Sequence, residues 1–395
     1  SPYQPEIGTP SSNGTAGAAN PTNTNDASAL RTNPAGLAHI EQSNSLLVGA
    51  QVLTASMRFD TDKATAGGDD GGNAGPLEFI PSVFYSRGFS DDLHFGLGLA
   101  PAYGLGADYG ESFRGRYSTI KSDLAGAGFY SSLGYRLGNQ WSAGLSIAAI
   151  YTTLELSRAI STTPLSLNPA TDGKVTLDEL DDWSPQATLG LMYKPDNSPW
   201  TLGFVYRTKT EVDVDGNVDF EGLPLPSAKG SASFDMPESY ELGLTYQYSD
   251  KLRLFVETDM QRWSQFSDYT VDLGTGPTDY DRSWRDSYRF ALGAEYKLAH
   301  NETLYLGTSY DMSPVRDKHR TFDAPTDEQI RLSGAYVRQH HSFEWSAGLS
   351  VIFSDDGNVD QVAEVTPGTG VTARTAGEFS SYYLMFPYAS IRYFF

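Results

Sequence analysis

The sequence predicts an all-β protein, a 14-stranded antiparallel transmembrane β-barrel plugged by an N-terminal hatch. Three observations carry that expectation. From Ser45 to Phe395, stretches of alternating apolar and polar residues recur without a break. Their connections alternate in length. Short ones are Phe89-Ser90-Asp91-Asp92, Gly138-Asn139, Pro195-Asp196-Asn197-Ser198, Ser249-Asp250, Ala299-His300-Asn301 and Arg338-Gln339-His340, and long ones lie near 61–75, 104–118, 159–180, 215–233, 264–284, 314–326 and 355–378. Short turns at one end and long loops at the other are what a membrane barrel produces, and the 24 Tyr, 20 Phe and 6 Trp suit aromatic girdles at both interfaces.

The expected strand cores are 45–60, 76–87, 93–103, 119–136, 140–157, 181–194, 199–212, 234–248, 251–263, 285–298, 302–313, 327–338, 341–354 and 379–395. Each is long enough to cross a bilayer at a tilt. An even number puts both barrel ends on one side of the membrane. In 285–298, Tyr288, Phe290, Leu292, Ala294, Tyr296 and Leu298 oppose Arg289, Ala291, Gly293, Glu295 and Lys297. In 251–263, Leu252, Leu254, Val256 and Met260 oppose Arg253, Glu257, Asp259 and Gln261. Period-2 alternation sends one set to lipid and the other to the lumen, where charges pair or stay hydrated. The final strand, with Ala389, Ile391, Tyr393 and Phe395 in alternate places, offers an end that a barrel assembly machinery can pair with.

A soluble chain of 395 residues would be two or three domains, but the unbroken rhythm divides it into a hatch over 1–42 and a barrel over 43–395. No apolar run approaches the length of a membrane helix, and the mean hydropathy is negative. A large soluble β-sandwich or β-solenoid is the alternative that composition leaves. With no Cys there is no disulfide, zinc-thiolate site or thiol nucleophile, and no cofactor or metal is expected. A formal charge of −21 argues against a nucleic-acid partner and suits a cell surface where divalent cations bridge lipopolysaccharide. The expected setting is the outer membrane of a Gram-negative bacterium, in contact with its lipid and lipopolysaccharide. The expected state is a monomer, and Ser1-Pro2-Tyr3 would begin a processed chain.

Fourteen strands enclose more space than side chains fill and less than an open porin needs. Residues 1–42, rich in Gly, Pro, Ser, Thr, Asn and Ala with only Glu6, Asp26, Arg31 and Glu41 charged, are the expected occupant, the alternative being a loose periplasmic tail. Residues 96–106 place Pro101 in mid-strand, with Tyr103, Gly104 and Gly106 following. Pro removes a ladder donor and Gly in a strand marks a bulge or bend, so this segment predicts either an opening in the wall or an ordinary barrel bend.

The run Asn33-Pro34-Ala35-Gly36-Leu37 before the first strand resembles the N-P-A signature of the FadL/TodX outer-membrane transporters. The likeness continues through Trp141-Ser142-Ala143-Gly144-Leu145, Tyr151 and Arg158, then Met236-Pro237-Glu238 and Trp263-Ser264-Gln265-Phe266. It ends with Trp284-Arg285-Asp286-Ser287-Tyr288-Arg289, Ala291-Leu292-Gly293 and Tyr310-Asp311-Met312-Ser313-Pro314. These blocks stand in family order over nearly the whole chain. The resemblance implies a plugged 14-stranded barrel that takes up long-chain fatty acids or aromatic hydrocarbons. Ligand would land on extracellular loops, pass a gate formed by the hatch (Asn33, Pro34, Ala35), and leave sideways through a kink in the third strand.

The resemblance also places Arg158 near a ligand carboxylate, with a Lys position that falls here on Tyr280 and has Arg282 close by. Arg158 could equally be a rim residue paired with Glu155. Loops 159–180 and 215–233 carry Leu165, Leu167, Leu223 and Leu225 among other apolar residues, read either as a substrate surface or as self-packing. Residues 168–179 imitate a calcium loop weakly, lacking ligands at key places. No G-x-S-x-G, H-E-x-x-H or phosphate-binding loop is present. A channel for hydrophobic molecules is therefore the leading reading, ahead of a general diffusion porin and of a lipid-acting barrel enzyme.

Overall fold

In the computed structural model, which describes residues 5–41, 43–163, 166–266, 268–273 and 277–395, alternating sequence becomes continuous antiparallel sheet. The strands are β1 (Asn44–Ala64), β2 (Leu77–Gly88), β3 (Leu93–Asp108), β4 (Lys121–Leu137), β5 (Trp141–Ile160) and β6 (Gly173–Tyr193). Next come β7 (Trp200–Arg207, then Thr210–Glu221), β8 (Ala228–Met236, then Ser239–Gln247), β9 (Leu252–Gln261, then Asp268–Asp272) and β10 (Pro277–Asp281, then Ser287–Ala299). Finally β11 (Glu302–Asp311), β12 (Gln329–Gln339), β13 (Phe343–Ser354, then Asn358–Glu364) and β14 (Thr372–Phe394) complete the wall. β1 pairs with β2 on one side and with β14 on the other, from Ser45 opposite Phe394 to Ala64 opposite Thr375, so the sheet closes on itself with fourteen strands.

Several strands run further than the sequence predicts. Much of the expected loops 159–180 and 215–233 is sheet: Val175 and Leu177 continue the inward alternation of β6, and Val212, Val214 and Val218 that of β7. Dense charges such as Asp178, Asp181 and Asp182 make this region read as loop, yet the strands simply continue beyond the aromatic girdle. The calcium-loop likeness at 168–179 is corrected by the same fact: Gly173 begins β6, so the needed turn does not exist. Among the described residues no group of three or more His, Asp or Glu is placed to hold a metal.

The two faces follow the alternation. Tyr288, Phe290 and Leu292 are exposed where lipid would lie, and Arg289 and Glu295 are buried in the lumen. Arg289 bridges Glu257 (3.0 Å) and Asp259 (3.3 Å), and Arg207 holds Glu241 at 2.8 Å. Aromatic pairs mark both edges: Trp141–Tyr193 and Trp200–Tyr246 near the short turns, Tyr151–Trp183 and Tyr206–Tyr240 near the long loops.

Residues 5–41 fill the lumen as short helical turns, Asn13–Thr15, Asn20–Thr22, Ala29–Thr32 and Pro34–His39, most of them fully buried. The wall makes room with glycine. Gly134, Gly144 and Gly190 stand directly opposite one another on β4, β5 and β6, as do Gly203 and Gly243 on β7 and β8, and Gly293 and Gly307 on β10 and β11. A methyl group on Gly144 would lie 2.2 Å from the Pro34 carbonyl carbon, on Gly203 1.8 Å from the Pro21 oxygen, and on Gly307 2.1 Å from the Thr15 carbonyl carbon. The hatch thus lies backbone against backbone along a track without side chains. Side chains then fasten it: Ser132 Oγ donates to Leu30 O (2.9 Å), Arg136 Nε to Ala38 O (2.8 Å), and Arg207 to Arg31 O (3.1 Å).

Above the wall, Arg116 gathers three loops. Fully buried, it donates to the Asp172 carboxylate (2.7 Å) and to the carbonyls of Gly67 (2.6 Å), Phe113 (3.1 Å) and Leu167 (3.1 Å). Removing one partner of a buried ion pair costs about 3–5 kcal/mol because the other charge stays behind. Arg116→Met is therefore expected to loosen the loops on β1, β3 and β5 together. Limited proteolysis should cut there first while the barrel keeps its heat-modifiable mobility, and unchanged loop protection would refute the role.

Candidate functional site

The wall is split between β2 and β3. These strands pair only over six positions, from Val83 opposite Leu99 to Gly88 opposite His94. Beyond Val83, residues 77–82 of β2 pair only with β1, and beyond Leu99, residues 100–108 of β3 pair only with β4. The cause is local. Against β4 the register slips between Pro101 and Tyr103, leaving one extra residue, Ala102, on β3 at that point. Proline cannot donate into a ladder, which favours the break at that point. Tyr103 turns into the lumen, buried, its hydroxyl bonded to Thr152 Oγ1. The freed carbonyl of Pro101 accepts from Arg31 Nε of the hatch at 3.2 Å.

Behind the split lies a cavity of about 660 Å³. Its wall is largely apolar: Leu53, Ile80, Leu124, Ile352, Leu384 and Phe386 contribute, and the hatch reaches it with Pro5. Pro101, Tyr103, Gly104 and Gly106 all line it. Gly104 is exposed, and a methyl group built there would meet only Leu124 O, 3.8 Å away. Space of this size with a mostly apolar lining is ordinary for a small-molecule site.

The hatch residues form a fixed corner. Asn33 is extended (φ −149°, ψ 103°) ahead of Pro34 and caps the turn Pro34–His39 by accepting from Ala35 N at 3.0 Å. Its amide donates to Pro21 O (2.6 Å) and to Leu191 O on β6 (3.3 Å), tying two hatch turns and the wall together. All three residues of Asn33-Pro34-Ala35 are buried.

The residues expected to meet a ligand are dispersed. Arg158 is half-buried on β5 and Arg282 is buried, and neither lines the cavity. Arg282 is paired with Asp323 and sits over the rings of Tyr269 (4.3 Å), Phe266 (5.4 Å) and Trp284 (5.6 Å). Tyr280 stacks on Tyr269 at 4.9 Å. Glu155, offered as a partner for Arg158, is held by Lys121 at 2.6 Å. Of the loop leucines, Leu225 is exposed, Leu223 and Leu167 are half-buried against packed clusters, and Leu165 lies outside the described residues. Neighbouring Val175, Leu177 and Leu180 are fully buried, so much of the apolar content of these segments packs internally. Sequence reasoning missed Arg31 and the glycine track. The second had a signal, since lumen-facing Gly follows lipid-facing Leu in Leu189-Gly190, Leu202-Gly203, Leu242-Gly243, Leu292-Gly293 and Leu306-Gly307.

A closed 14-stranded barrel with its own N-terminal segment in the lumen, and an apolar cavity behind a split wall, defines a plugged transmembrane β-barrel. The sequence matches, over residues 6–389, the family described as outer membrane protein transport protein (OMPP1/FadL/TodX), and the chain belongs to that family. It is 26% identical over 344 residues to the long-chain fatty acid transport protein of Escherichia coli O6:H1, covering 76% of this chain and 74% of that one. It is 24% identical over 343 residues to outer membrane protein P1 of Haemophilus influenzae, covering 78% and 73%. The fold is similar to that of a Pseudomonas aeruginosa FadL homologue (TM-score 0.91, 20% identity, 100% and 99% of the two chains). It is also similar to the toluene transporter TodX of P. putida (TM-score 0.67, 19% identity, 93% and 94%).

Proposed function

We propose that this protein carries hydrophobic small molecules, long-chain fatty acids or aromatic hydrocarbons, across the outer membrane of a Gram-negative bacterium. Substrate meets the extracellular loops, where Leu223 and Leu225 offer first contact, and enters the cavity. The hatch governs passage, and release is lateral, through the split between β2 and β3. The observation that carries this reading is the continuity of the apolar cavity from Pro5 of the hatch to Gly104 in the wall. An apolar molecule gains by going directly into lipid instead of crossing water.

The lumen occupied by residues 5–41 favours this reading over a general porin. The test is uptake of a labelled fatty acid and of toluene by cells that lack their own such transporter and express this chain, alongside conductance of the purified protein in planar bilayers. Saturable uptake with little ionic conductance supports the proposal. Steady conductance with no hydrophobic uptake would overturn it.

Asn33→Ala should loosen the gate. It removes a cap, one further hydrogen bond within the hatch and one to the wall at Leu191 O, worth about 1 kcal/mol each, while every strand residue is unchanged. Hydrophilic antibiotics should leak into cells carrying the variant while the amount of folded barrel is unchanged. Wild-type antibiotic resistance and uptake would rule that role out.

A further inference from the structure

The charged residues lining the cavity are Glu78, Asp108, Lys121, Asp123 and Arg331. Glu78 and Asp108 are exposed, Lys121 and Asp123 are half-buried, and Lys121 is already held by Glu155. Arg331 differs from all of these. It stands on β12 facing the lumen and is only 2% exposed. Its guanidinium donates no hydrogen bond to any described residue, its Nε is buried without a hydrogen bond, and among the described residues its ion pair is with Glu6 Oε1 at 3.6 Å, with the Asp311 carboxylate attracting it from further off. A guanidinium kept from water without hydrogen bonds is costly, so a group this buried calls for an acceptor.

Glu6 does not fill that need. Its Oε1 is bonded to Arg289, and its Oε2 accepts from Ser12 Oγ (2.8 Å) and Asn20 Nδ2 (2.9 Å). Arg289 in turn is ion-paired with Glu257 and Asp259 as well as with Glu6. Arg331 is left at the edge of this network, bordering the cavity, with Leu384 and Phe386 of β14 and Ile352 of β13 also in the lining.

We propose that Arg331 is a headgroup subsite, whose planar fork binds the carboxylate of an amphipathic substrate while the hydrocarbon tail lies along Ile352, Leu384 and Tyr103 towards the split wall. This rests on the uptake reading above and deepens it, assigning an aliphatic carboxylate as substrate in preference to a neutral hydrocarbon. Arginine suits the task because its charge is permanent and its N–H groups match a carboxylate in geometry. The role is this residue's own, since Arg158 and Arg282, the arginines that the family likeness points to, do not line the cavity.

The test uses the full chain in lipid nanodiscs and two probes, a pyrene-labelled long-chain carboxylic acid and the primary alcohol of the same chain length. The wild-type protein should prefer the acid. Arg331→Met should weaken the acid by about tenfold to a hundredfold, the loss expected for hydrogen bonds to a charged group, and leave the alcohol unchanged. Arg331→Lys, which keeps the charge, should retain part of the preference and serves as the readout if the Met variant does not fold. Equal affinity for acid and alcohol in the wild type, or a parallel loss of both in a correctly folded variant, would overturn the subsite while leaving hydrophobic uptake standing. Binding of neither probe to the wild type would overturn the uptake reading itself, and the subsite with it.

Discussion

Gly104→Val is expected to cut uptake of a labelled fatty acid or aromatic by about tenfold or more without unfolding the barrel. The position tolerates a side chain sterically, since nothing but Leu124 O lies within 4 Å of the added carbon. Valine also favours strand backbone more than glycine does. The new methyls therefore go into the cavity at the split, where a passing substrate meets an overpacking penalty of about 1–3 kcal/mol, each 1.4 kcal/mol of barrier being tenfold in rate. First binding at the extracellular loops, whose Leu223 and Leu225 do not line the cavity, should survive. The measurement is paired: uptake in cells and binding by the purified variant. Full uptake by a correctly inserted Gly104→Val protein would mean that substrate goes straight down to the periplasm, and lateral release would be abandoned.

Gly203→Val should have the opposite consequence, leakage. Its added carbon would sit 1.8 Å from Pro21 O and 2.5 Å from Pro21 C, a contact that no rotamer relieves because both atoms are hatch backbone. The strand accepts the valine and the hatch cannot, so the turn Asn20–Thr22 is pushed off the wall. Planar-bilayer conductance should rise from near zero, and protease added to the periplasmic side should reach the hatch. Gly334→Val is the matched control, since its nearest neighbours are Leu306 Cδ2 at 3.4 Å and Tyr305 O at 3.6 Å. A tight, non-conducting Gly203→Val barrel would show that the hatch is held elsewhere.

The wall was largely legible from residues alone because its rules are local. Alternation such as Tyr288/Arg289/Phe290 assigns faces, short polar turns assign ends, and Pro101 with its glycines marks the bulge. What resisted was tertiary. Arg282 is drawn to Asp323, 41 residues along the chain, and into a cluster of the Phe266, Tyr269 and Trp284 rings. Arg331 gives no sign in Gln329-Ile330-Arg331-Leu332 of being anything but one more lumen charge. Its singularity is a matter of which partners Glu6 already has. The loop leucines misled because hydrophobicity alone does not distinguish a surface for ligand from one for packing, and Leu177 and Leu180 are spent on the latter.

The order of the chain gives the hatch a task before any substrate arrives. Gly8 rests against Ala50 and Tyr388, Asn13 donates to Gln51 Oε1 (3.2 Å) and Phe386 O (3.3 Å), and Gln51 donates to Glu6 O (2.7 Å). Gln51 and Tyr388 are partners across the seam between β1 and β14, the place where first and last strands meet. The plug is synthesised ahead of the first strand, and it clasps the joint that can form only after the last. It therefore bridges the two seam strands from inside the lumen, as a clasp on the joint once the edges meet.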